Sequence, residues 1–516
     1  MCRRPRRSQD DRMEADVVVV GAGHNGLICA AYLARAGLEV AVLEARPIPG
    51  GNTVTEELTL PGFAHDSCSS AHVLIQSNPL LQDDELGLLS TWGLRYEHTD
   101  PAVVLPRADG DTLVMHRDLD ATADELARYS PADATAFRDL IGEWTTGLAA
   151  VHGRWSSGFD LGDTPPAKAY AALRARSAWD VVHERFSHPA VRDLMVWLSL
   201  ATIQDPRREG TGVLPSSIAA GRLRFGWSTP IGGSGALPAA LLRLLEAHGA
   251  TLHTTAEVDH VAVRDGRVTG VRTFDGRTFT ARRAVVMSSN VARLPDMLDE
   301  VPTDLAAAKQ AWRPGLSVFA VHAALRTDLA FTNGLHSVAA GLGDTAGIAR
   351  QLDAFYRGET DTTNPWLLVV NQSVVDRTRA PEGAGTFKIL TIAPWTRADA
   401  RPWSKAKADF GADLIDLVRT RVPTLDPISI RMESPHDIAA HNPHNVGGSC
   451  HGGEFHLPTG ERLVGWPHYT TSIPGLFLTG STSHPGGSVS GRPGRNTART
   501  ILSKLGLNPA TVMGPR

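Results

Sequence analysis

The sequence is poor in cysteine. Its four cysteines, Cys2, Cys29, Cys68 and Cys450, stand far apart, and no two of them form a Cys-x-x-Cys pair. A dithiol redox centre and a zinc ribbon both need closely spaced pairs, so we expect neither, and we expect no metal site of another kind. So few cysteines in 516 residues argue against a disulfide scaffold and favour a reducing cytoplasm.

Long apolar runs and an excess of basic charge are also lacking. No run of about 18 apolar residues occurs, so no transmembrane helix is predicted. The formal net charge of -4 gives no electrostatic reason to expect a nucleic acid partner. The arginines near the N-terminus are not followed by the apolar segment of a signal peptide, so residues 1–14 are predicted to be a disordered tail.

A glycine-rich turn stands near the N-terminus. The run Asp16-Val17-Val18-Val19-Val20 predicts a buried strand, and the pattern Gly21-Ala22-Gly23-His24-Asn25-Gly26 leads from it into a helical pattern. Gly21 permits the tight turn, Gly23 lets a pyrophosphate approach the backbone, and Gly26 allows close helix–strand packing. Asn25 is expected to satisfy backbone groups in this turn. The pattern therefore predicts a dinucleotide bound at a helix N-terminus.

An acidic residue and two more glycines follow the second predicted strand. Glu44 stands at the end of that strand, where a carboxylate would accept the ribose hydroxyls. Arg46, Gly50 and Gly51 come next, and the glycines would allow a second close backbone approach to an extended cofactor.

A second glycine-dense loop lies near the C-terminus. A short predicted strand runs into Gly480 and Ser481, and the loop His484-Pro485-Gly486-Gly487-Ser488-Val489 leads to a predicted helix. A strand, a glycine-rich loop and a helix N-terminus can dock a flat ring and stabilise negative charge on it.

The middle of the chain predicts a different kind of unit. Helical patterns dominate residues 74–224, with a well-capped helix start at Ser130-Pro131. The pairs Asp265-Gly266 and Asp275-Gly276 predict two successive hairpins. Further strand patterns lie between residues 317 and 392, before a helical pattern at residues 405–422.

Taken together, the motifs resemble those of the phytoene-desaturase-like flavoproteins. The branches most similar are the one named for a pyridine-nucleotide-disulphide oxidoreductase domain and the carotenoid ketolase branch. The resemblance implies FAD as cofactor and a discontinuous Rossmann-type FAD domain of glutathione-reductase-like fold, with an adenine-side backbone contact at Val258. Two departures are Ser488 and Ser490, which stand where the family more often has glycine, and Thr497, which stands where it has alanine.

The fold class is therefore expected to be α/β, with an α+β substrate domain beside the FAD domain. We assign residues 15–73, 225–300 and 430–516 to the FAD domain, and residues 74–224 and 301–429 to the substrate domain. No catalytic base can be assigned; His484, beside the terminal loop, and His72 are weak candidates.

The expected reaction removes two hydrogens from a small apolar organic substrate, an isoprenoid or polyene by resemblance, with hydride transfer to flavin N5. Oxygen or a quinone would reoxidise the flavin. The alternatives are polyene ketolation or isomerisation on the same scaffold, or a flavin-bearing interaction protein with little turnover. Peripheral membrane contact is a further hypothesis, and the oligomeric state stays open.

Overall fold

The computed structural model describes residues 13–329, 337–454 and 469–514. Its strands are, in chain order, β1 (Glu14–Val20), β2 (Val40–Leu43), β3 (Thr55–Glu56), β4 (His65–Asp66), β5 (Tyr96–Thr99), β6 (Val103–Pro106), β7 (Thr112–Met115), β8 (Trp227–Pro230), β9 (Thr251–His253), β10 (Val258–Arg264), β11 (Arg267–Thr273), β12 (Thr278–Met287), β13 (Val318–Leu325), β14 (Ala339–Leu342), β15 (Leu367–Val370), β16 (Gly385–Ile392), β17 (Pro427–Glu433) and β18 (Leu476–Leu478).

The helices are, in the same order, α1 (His24–Arg35), α2 (Pro79–Gln82), α3 (Leu119–Ala127), α4 (Pro131–Glu143), α5 (Ala149–Ser156), α6 (Pro165–Arg174), α7 (Ala178–Arg185), α8 (Pro189–Leu200), α9 (Leu214–Phe225), α10 (Ala236–Ala247), α11 (Thr303–Ala311), α12 (Thr345–Tyr356), α13 (Trp403–Arg419), α14 (Pro435–His441), α15 (Arg492–Lys504) and α16 (Ala510–Met513). Within the described ranges, no helix combines enough length with enough apolar character to cross a bilayer.

The first sheet has the order β10-β11-β12-β1-β2-β9, with β18 paired to β12. β1 pairs in parallel with both β2 and β12, and β18 also runs parallel to β12. Alternate valines of β1 face opposite cores: Val17 and Val19 pack with α1, α10 and α15, whereas Val18 and Val20 pack with β10 and β11. A parallel strand buried on both faces needs the continuous apolar run seen in the sequence. The predicted α/β class is confirmed.

The second sheet has the order β17-β13-β16-β15-β14-β6-β7. Its pairs are antiparallel except β14 with β6. One face packs against a helical layer that includes α4, α8 and α9, and the opposite face packs against α13.

Several local predictions are confirmed. Ser130 caps α4 by accepting a hydrogen bond from the backbone N–H of Asp133, with Pro131 in the first turn. The two Asp-Gly pairs connect β10 to β11 and β11 to β12, which pair antiparallel. Asp265 and Gly266 both adopt positive φ, as a two-residue hairpin turn requires.

The unit boundaries differ in places from those assigned to the sequence. β17 pairs with β13 along its length, so residues 430–433 belong to the second sheet rather than to the FAD domain. Conversely, the leucines between residues 80 and 94 pack in one core with α1, although they were assigned to the substrate domain. Residues 1–12 of the predicted tail lie outside the described residues, and Glu14 already belongs to β1.

A buried ion pair joins two distant parts of the chain. The Nη2 atom of Arg379 lies 2.6 Å from Oδ2 of Asp66 in β4, and both side chains are almost fully buried. Asp66 also accepts hydrogen bonds from the Thr55 hydroxyl and the Ser234 backbone N–H. Burial alone would raise the pKa of Asp66, but the Arg379 guanidinium and these hydrogen bonds lower it to about 2.

Replacing Asp66 should therefore destabilise the protein. We expect Asp66→Asn to lower the free energy of unfolding by about 2–3 kcal/mol, because Arg379 stays buried and, among the described residues, keeps only Asp376 as a charged partner. Urea denaturation followed by circular dichroism measures this. Since the pKa of Asp66 is lowered in the folded state, the wild-type contribution should be present above about pH 4 and lost as the pH falls toward 2.

The matched control is Asp416→Asn, which breaks the exposed ion pair with Arg419. It should change the free energy of unfolding by less than about 1 kcal/mol. Equal effects of the two substitutions would contradict the role given to Asp66.

Candidate functional site

The turn between β1 and α1 borders a cavity of about 410 Å³. Gly21 has φ +100°, and a Cβ on Gly26 would lie 2.1 Å from the Gly21 carbonyl oxygen, so neither position tolerates a side chain. Gly23 precedes α1 without any side-chain cap. The first N–H groups of α1 are therefore available to an anion in this cavity, which Gly21, Gly23 and Asn25 line. Gly26 acts in packing and is not among the described lining residues.

Glu44 lines the same cavity at the end of β2. Its carboxylate accepts hydrogen bonds from the backbone N–H groups of Ala22, at 2.8 Å, and Arg46, at 3.0 Å. Burial raises the pKa of Glu44, against the lowering effect of these two bonds. Each carboxylate oxygen keeps a further lone pair for a ribose hydroxyl.

The glycines after Glu44 bring a second stretch of backbone to the turn. Gly50 donates its N–H to the Ala22 carbonyl at 2.9 Å. A Cβ on Gly51 would lie 3.0 Å from the Cα of Gly23, and Gly51 lines the cavity. The structure places Arg46 against Glu56, 3.6 Å away. Neither Arg46 nor Gly50 is among the described lining residues.

The far end of the cavity is formed by β10. Val258 lines it together with Glu257 and Asp259. This segment is fixed to the ribose-side acid, because Ala256 donates its backbone N–H to the Glu44 carbonyl at 2.8 Å.

The C-terminal loop closes the other side of the cavity. The lining residues predicted there are Gly480, Ser481, Ser488 and Val489. Ser488 has φ +76°, an uncommon conformation for a residue with a side chain. A Cβ on Gly487 would lie 2.1 Å from the His451 carbonyl oxygen, so only glycine fits there. Gly487 borders a second, larger cavity instead.

Four buried polar side-chain atoms of residues that line the first cavity have no hydrogen-bond partner among the described residues. Two of them, Ser289 Oγ and His444 Nδ1, stand beside the end of β12 and the C-terminal loop. His444 pairs through Nε2 with Ser481 Oγ. Burial lowers the pKa of His444 to about 4, so at neutral pH its ring is uncharged. These features fit FAD. The N-terminus of α1 and the close glycines would hold its phosphates, Glu44 would hold its ribose, and the buried polar atoms would contact its ring.

The two weak catalytic candidates do not line either cavity among the described residues. His72 is fully buried, and its ring nitrogens hydrogen-bond with the hydroxyls of Tyr96 and Ser234, both at 3.0 Å. His484 donates from Nε2 to the Trp155 carbonyl at 2.6 Å. Both histidine rings therefore have a structural role, because their hydrogen bonds link segments of the chain that lie far apart in sequence.

The second cavity, of about 1460 Å³, was not predicted from the sequence. The residues that line both cavities, and so mark where they meet, are Val73, Leu74, Thr202, Ile218, His451 and Ser488. These come from five separate segments, and no local pattern signals their meeting.

Sequence spacing also missed a pair of thiols. Cys68 and Cys450 both line the first cavity, and a hydrogen bond from Cys450 lowers the pKa of Cys68. Cys450 Sγ lies 3.0 Å from His451 Nδ1. The expectation of no dithiol redox centre rested on Cys-x-x-Cys spacing, which says nothing of cysteines that lie far apart in the chain.

Comparisons with known proteins agree with the resemblance seen in the motifs. A family model described as flavin containing amine oxidoreductase matches residues 26–502. The mouse protein named pyridine nucleotide-disulfide oxidoreductase domain-containing protein 2 is 27% identical, over 95% of this chain and 94% of its own. Hydroxyneurosporene desaturase of Cereibacter sphaeroides is 28% identical, over 95% and 98%. An oxidoreductase structure from Methanosarcina mazei shares the fold, with a TM-score of 0.62 at 17% identity, covering 95% of this chain and 99% of that one.

Glu44 offers a direct test of the cofactor site. Glu44→Gln should weaken FAD binding by about 10-fold to 100-fold, because hydrogen bonds to a charged acceptor contribute about 1.5–3 kcal/mol. Titration of flavin-free protein with FAD, followed by quenching of flavin fluorescence, gives the Kd. The exposed Glu39→Gln is the control and should leave the Kd unchanged. An unaltered Kd for Glu44→Gln would remove Glu44 from the site.

Proposed function

We propose that this chain, which belongs to the flavin containing amine oxidoreductase family, removes two hydrogens from an apolar substrate of the isoprenoid or polyene class. The chain is an FAD-dependent oxidoreductase, and the proposal concerns its substrate and reaction. FAD, when bound, supplies the capacity to accept a hydride. One relative bears the name of a desaturase, which supports dehydrogenation as the reaction class.

The large cavity is the observation that carries this proposal. Its volume of about 1460 Å³ exceeds the roughly 300–1,000 Å³ of most small-molecule sites, so it suits a long substrate. Apolar side chains from the helical layer form much of its wall: Leu119, Ile141, Trp144, Trp155, Phe159, Val213, Leu214, Leu223 and Phe225. Burial of an apolar chain against these residues would supply binding energy and exclude water.

The junction of the two cavities is where the substrate would meet the flavin ring. Among the described residues that line both cavities, His451 is the one with an ionisable side chain. Burial lowers its pKa to about 4, and its Nδ1 faces the Cys450 thiol. His451 is thus a neutral hydrogen-bonding group there. Such a junction orients the substrate and suits hydride abstraction from a C–H bond without a strong base.

The charges around the large cavity disfavour a cationic amine, despite the family's name. Two acids line it, Asp83 and Glu85, and Glu85 is already paired with Arg495. The arginines among the lining residues are Arg154, Arg174, Arg224, Arg492, Arg495 and Arg499. A positively charged substrate would be repelled by this excess of like charge.

Reoxidation of the flavin by oxygen or a quinone is part of the proposal, and peripheral membrane contact stays a prediction.

Anaerobic reduction tests the proposed reaction. Candidate substrates are added to the purified holoprotein without oxygen: a polyene, a saturated isoprenoid and a primary amine. Substrate oxidation should bleach the visible flavin band with an isoprenoid or polyene and leave it unchanged with the amine. Dithionite must bleach the band in every sample. If dithionite bleaches the flavin band and none of the three candidate substrates does, the protein is a flavin-bearing binding protein rather than a dehydrogenase.

Filling the junction tests where the substrate reacts. Ile218→Phe adds bulk at a buried position that lines both cavities, so bleaching by the best substrate should slow at least about tenfold, as expected for a misplaced substrate. Flavin content should stay the same. Leu89→Phe, at an exposed position, is the control. Equal bleaching rates in both variants would place the reaction elsewhere.

A further inference from the structure

Arg222 is a buried cation on the wall of the smaller cavity. It stands in the last turn of α9, is 6% exposed, and lines the cavity beside Trp227 of β8. Among the residues that the structure describes, no carboxylate lies within ion-pair distance of its guanidinium. Two other buried arginines do have such a partner: Arg379 pairs with Asp66 and Arg495 pairs with Glu85.

The hydrogen bonds of Arg222 leave much of its donor capacity unused. Its Nη1 atom donates to the Gly226 carbonyl at the long distance of 3.4 Å. The guanidinium carbon lies 4.2 Å from the centre of the Trp227 ring. The Nε atom of Arg222 and the indole Nε1 of Trp227 are both buried, and neither has a partner in the described part of the chain.

A role in capping α9 accounts for only part of this arrangement. A cation near a helix C-terminus is stabilised by the helix dipole, and the bond to Gly226 belongs to that role. A cap uses one of the five N–H donors of a guanidinium and none of the indole. A buried cation with one long hydrogen bond and a buried indole N–H without an acceptor cost free energy unless something supplies further acceptors. Burial lowers the pKa of Arg222 to about 9, so the side chain stays charged at neutral pH.

The walls around Arg222 are apolar. Ala201 and Ile203 follow α8, and Leu368 and Leu390 project from the second sheet; all four line the same cavity. The acids of this cavity belong to the nucleotide end: Glu44, Glu257 and Asp259 on or beside β2 and β10, with Asp296 after β12. A ligand beside Arg222 would therefore meet an apolar wall and a cationic donor, with the indole of Trp227 next to it.

We propose that Arg222 and Trp227 form a subsite for the carboxylate of the substrate, which is then an apolar acid rather than a neutral hydrocarbon. The carboxylate accepts from the guanidinium and from the indole N–H, and the apolar chain extends past Ile218 toward the large cavity. This inference rests on the proposed function, because that function places the substrate at the junction of the two cavities, and Ile218, which lines both, stands one helical turn before Arg222 on α9. It adds the chemical class of the group that anchors the substrate.

The test compares an acid with its neutral counterpart in the purified holoprotein. Octanoate and octan-1-ol are titrated separately, and binding is followed by calorimetry and by the shift of the visible flavin spectrum. Wild-type protein should bind octanoate at least about tenfold more tightly than octan-1-ol, as expected for charge-assisted hydrogen bonds in a buried site. Arg222→Gln should remove that preference while leaving the Kd for octan-1-ol within about threefold of its wild-type value.

Three further variants keep the result interpretable. Arg222→Lys retains the charge and should retain a preference for octanoate, although a weaker one, because an ammonium cannot bind a carboxylate in two places at once. Trp227→Phe removes the indole N–H and should weaken octanoate binding by about threefold or more. Arg350→Gln, on α12 and half exposed, should change neither Kd. If the Arg222→Gln protein does not bind FAD, Arg222→Lys and Trp227→Phe still test whether the subsite binds a carboxylate.

Equal affinities for octanoate and octan-1-ol in the wild-type protein would overturn the carboxylate subsite, as would an unchanged preference in Arg222→Gln or an equal loss in Arg350→Gln. The outcome that would contradict the proposed function is a different one. If octanoate binds through Arg222 but no candidate substrate bleaches the flavin, the subsite stands and the dehydrogenase reaction falls. If a polyene bleaches the flavin while octanoate shows no preference, the reverse holds.

Discussion

The contact between the two ends of the chain is the constraint on which the cofactor site depends. A Cβ on Gly494 in α15 would lie 2.4 Å from the Asn25 carbonyl oxygen in α1, and the Gly494 N–H donates to the Asn25 side chain at 3.3 Å. Only glycine allows two helices to approach this closely. β18 then joins the first sheet beside β12, in parallel. Phosphate turn and ring-docking loop face one cavity because this contact holds them together.

The second sheet depends on the first through buried charge. Asp66, in β4 beside the first unit, pairs with Arg379, and Lys388 of β16 donates to the Asp66 and Cys68 carbonyls at 2.9 Å and 2.6 Å. Burial lowers the pKa of Lys388, and the nearby thiols and carboxylates oppose that shift. Cationic side chains from the second unit thus fix the segment of residues 66–70 that passes beneath the cavity. Buried ion pairing and hydrogen bonding therefore position this side of the first cavity.

Local chemistry determined how much could be predicted from the sequence. The valine run of β1, the glycine turn, the Ser130 cap and the Asp-Gly hairpins each encode their own structure within a few residues, so pattern alone placed them correctly. The family resemblance added the pairing of the chain ends. Features made by segments that lie far apart in the chain were not predicted: the Cys68–Cys450 contact, the position of Arg222 in a cavity wall, and the addition of β17 to the second sheet. Sheet order and helix packing determine these, and neither leaves a local signal.

The order of the segments has a consequence for how the protein is made. β18 and α15, which complete the cofactor cavity, are synthesised after all the other strands of the first sheet. A nascent chain can form the turn at Gly21 and the hairpins of β10 to β12 long before then, but it has no wall for the flavin ring. Stable capture of FAD therefore has to wait until β18 and α15 have been synthesised. Until that moment the first sheet leaves one edge of β12 exposed, open to chaperones or to pairing with another chain.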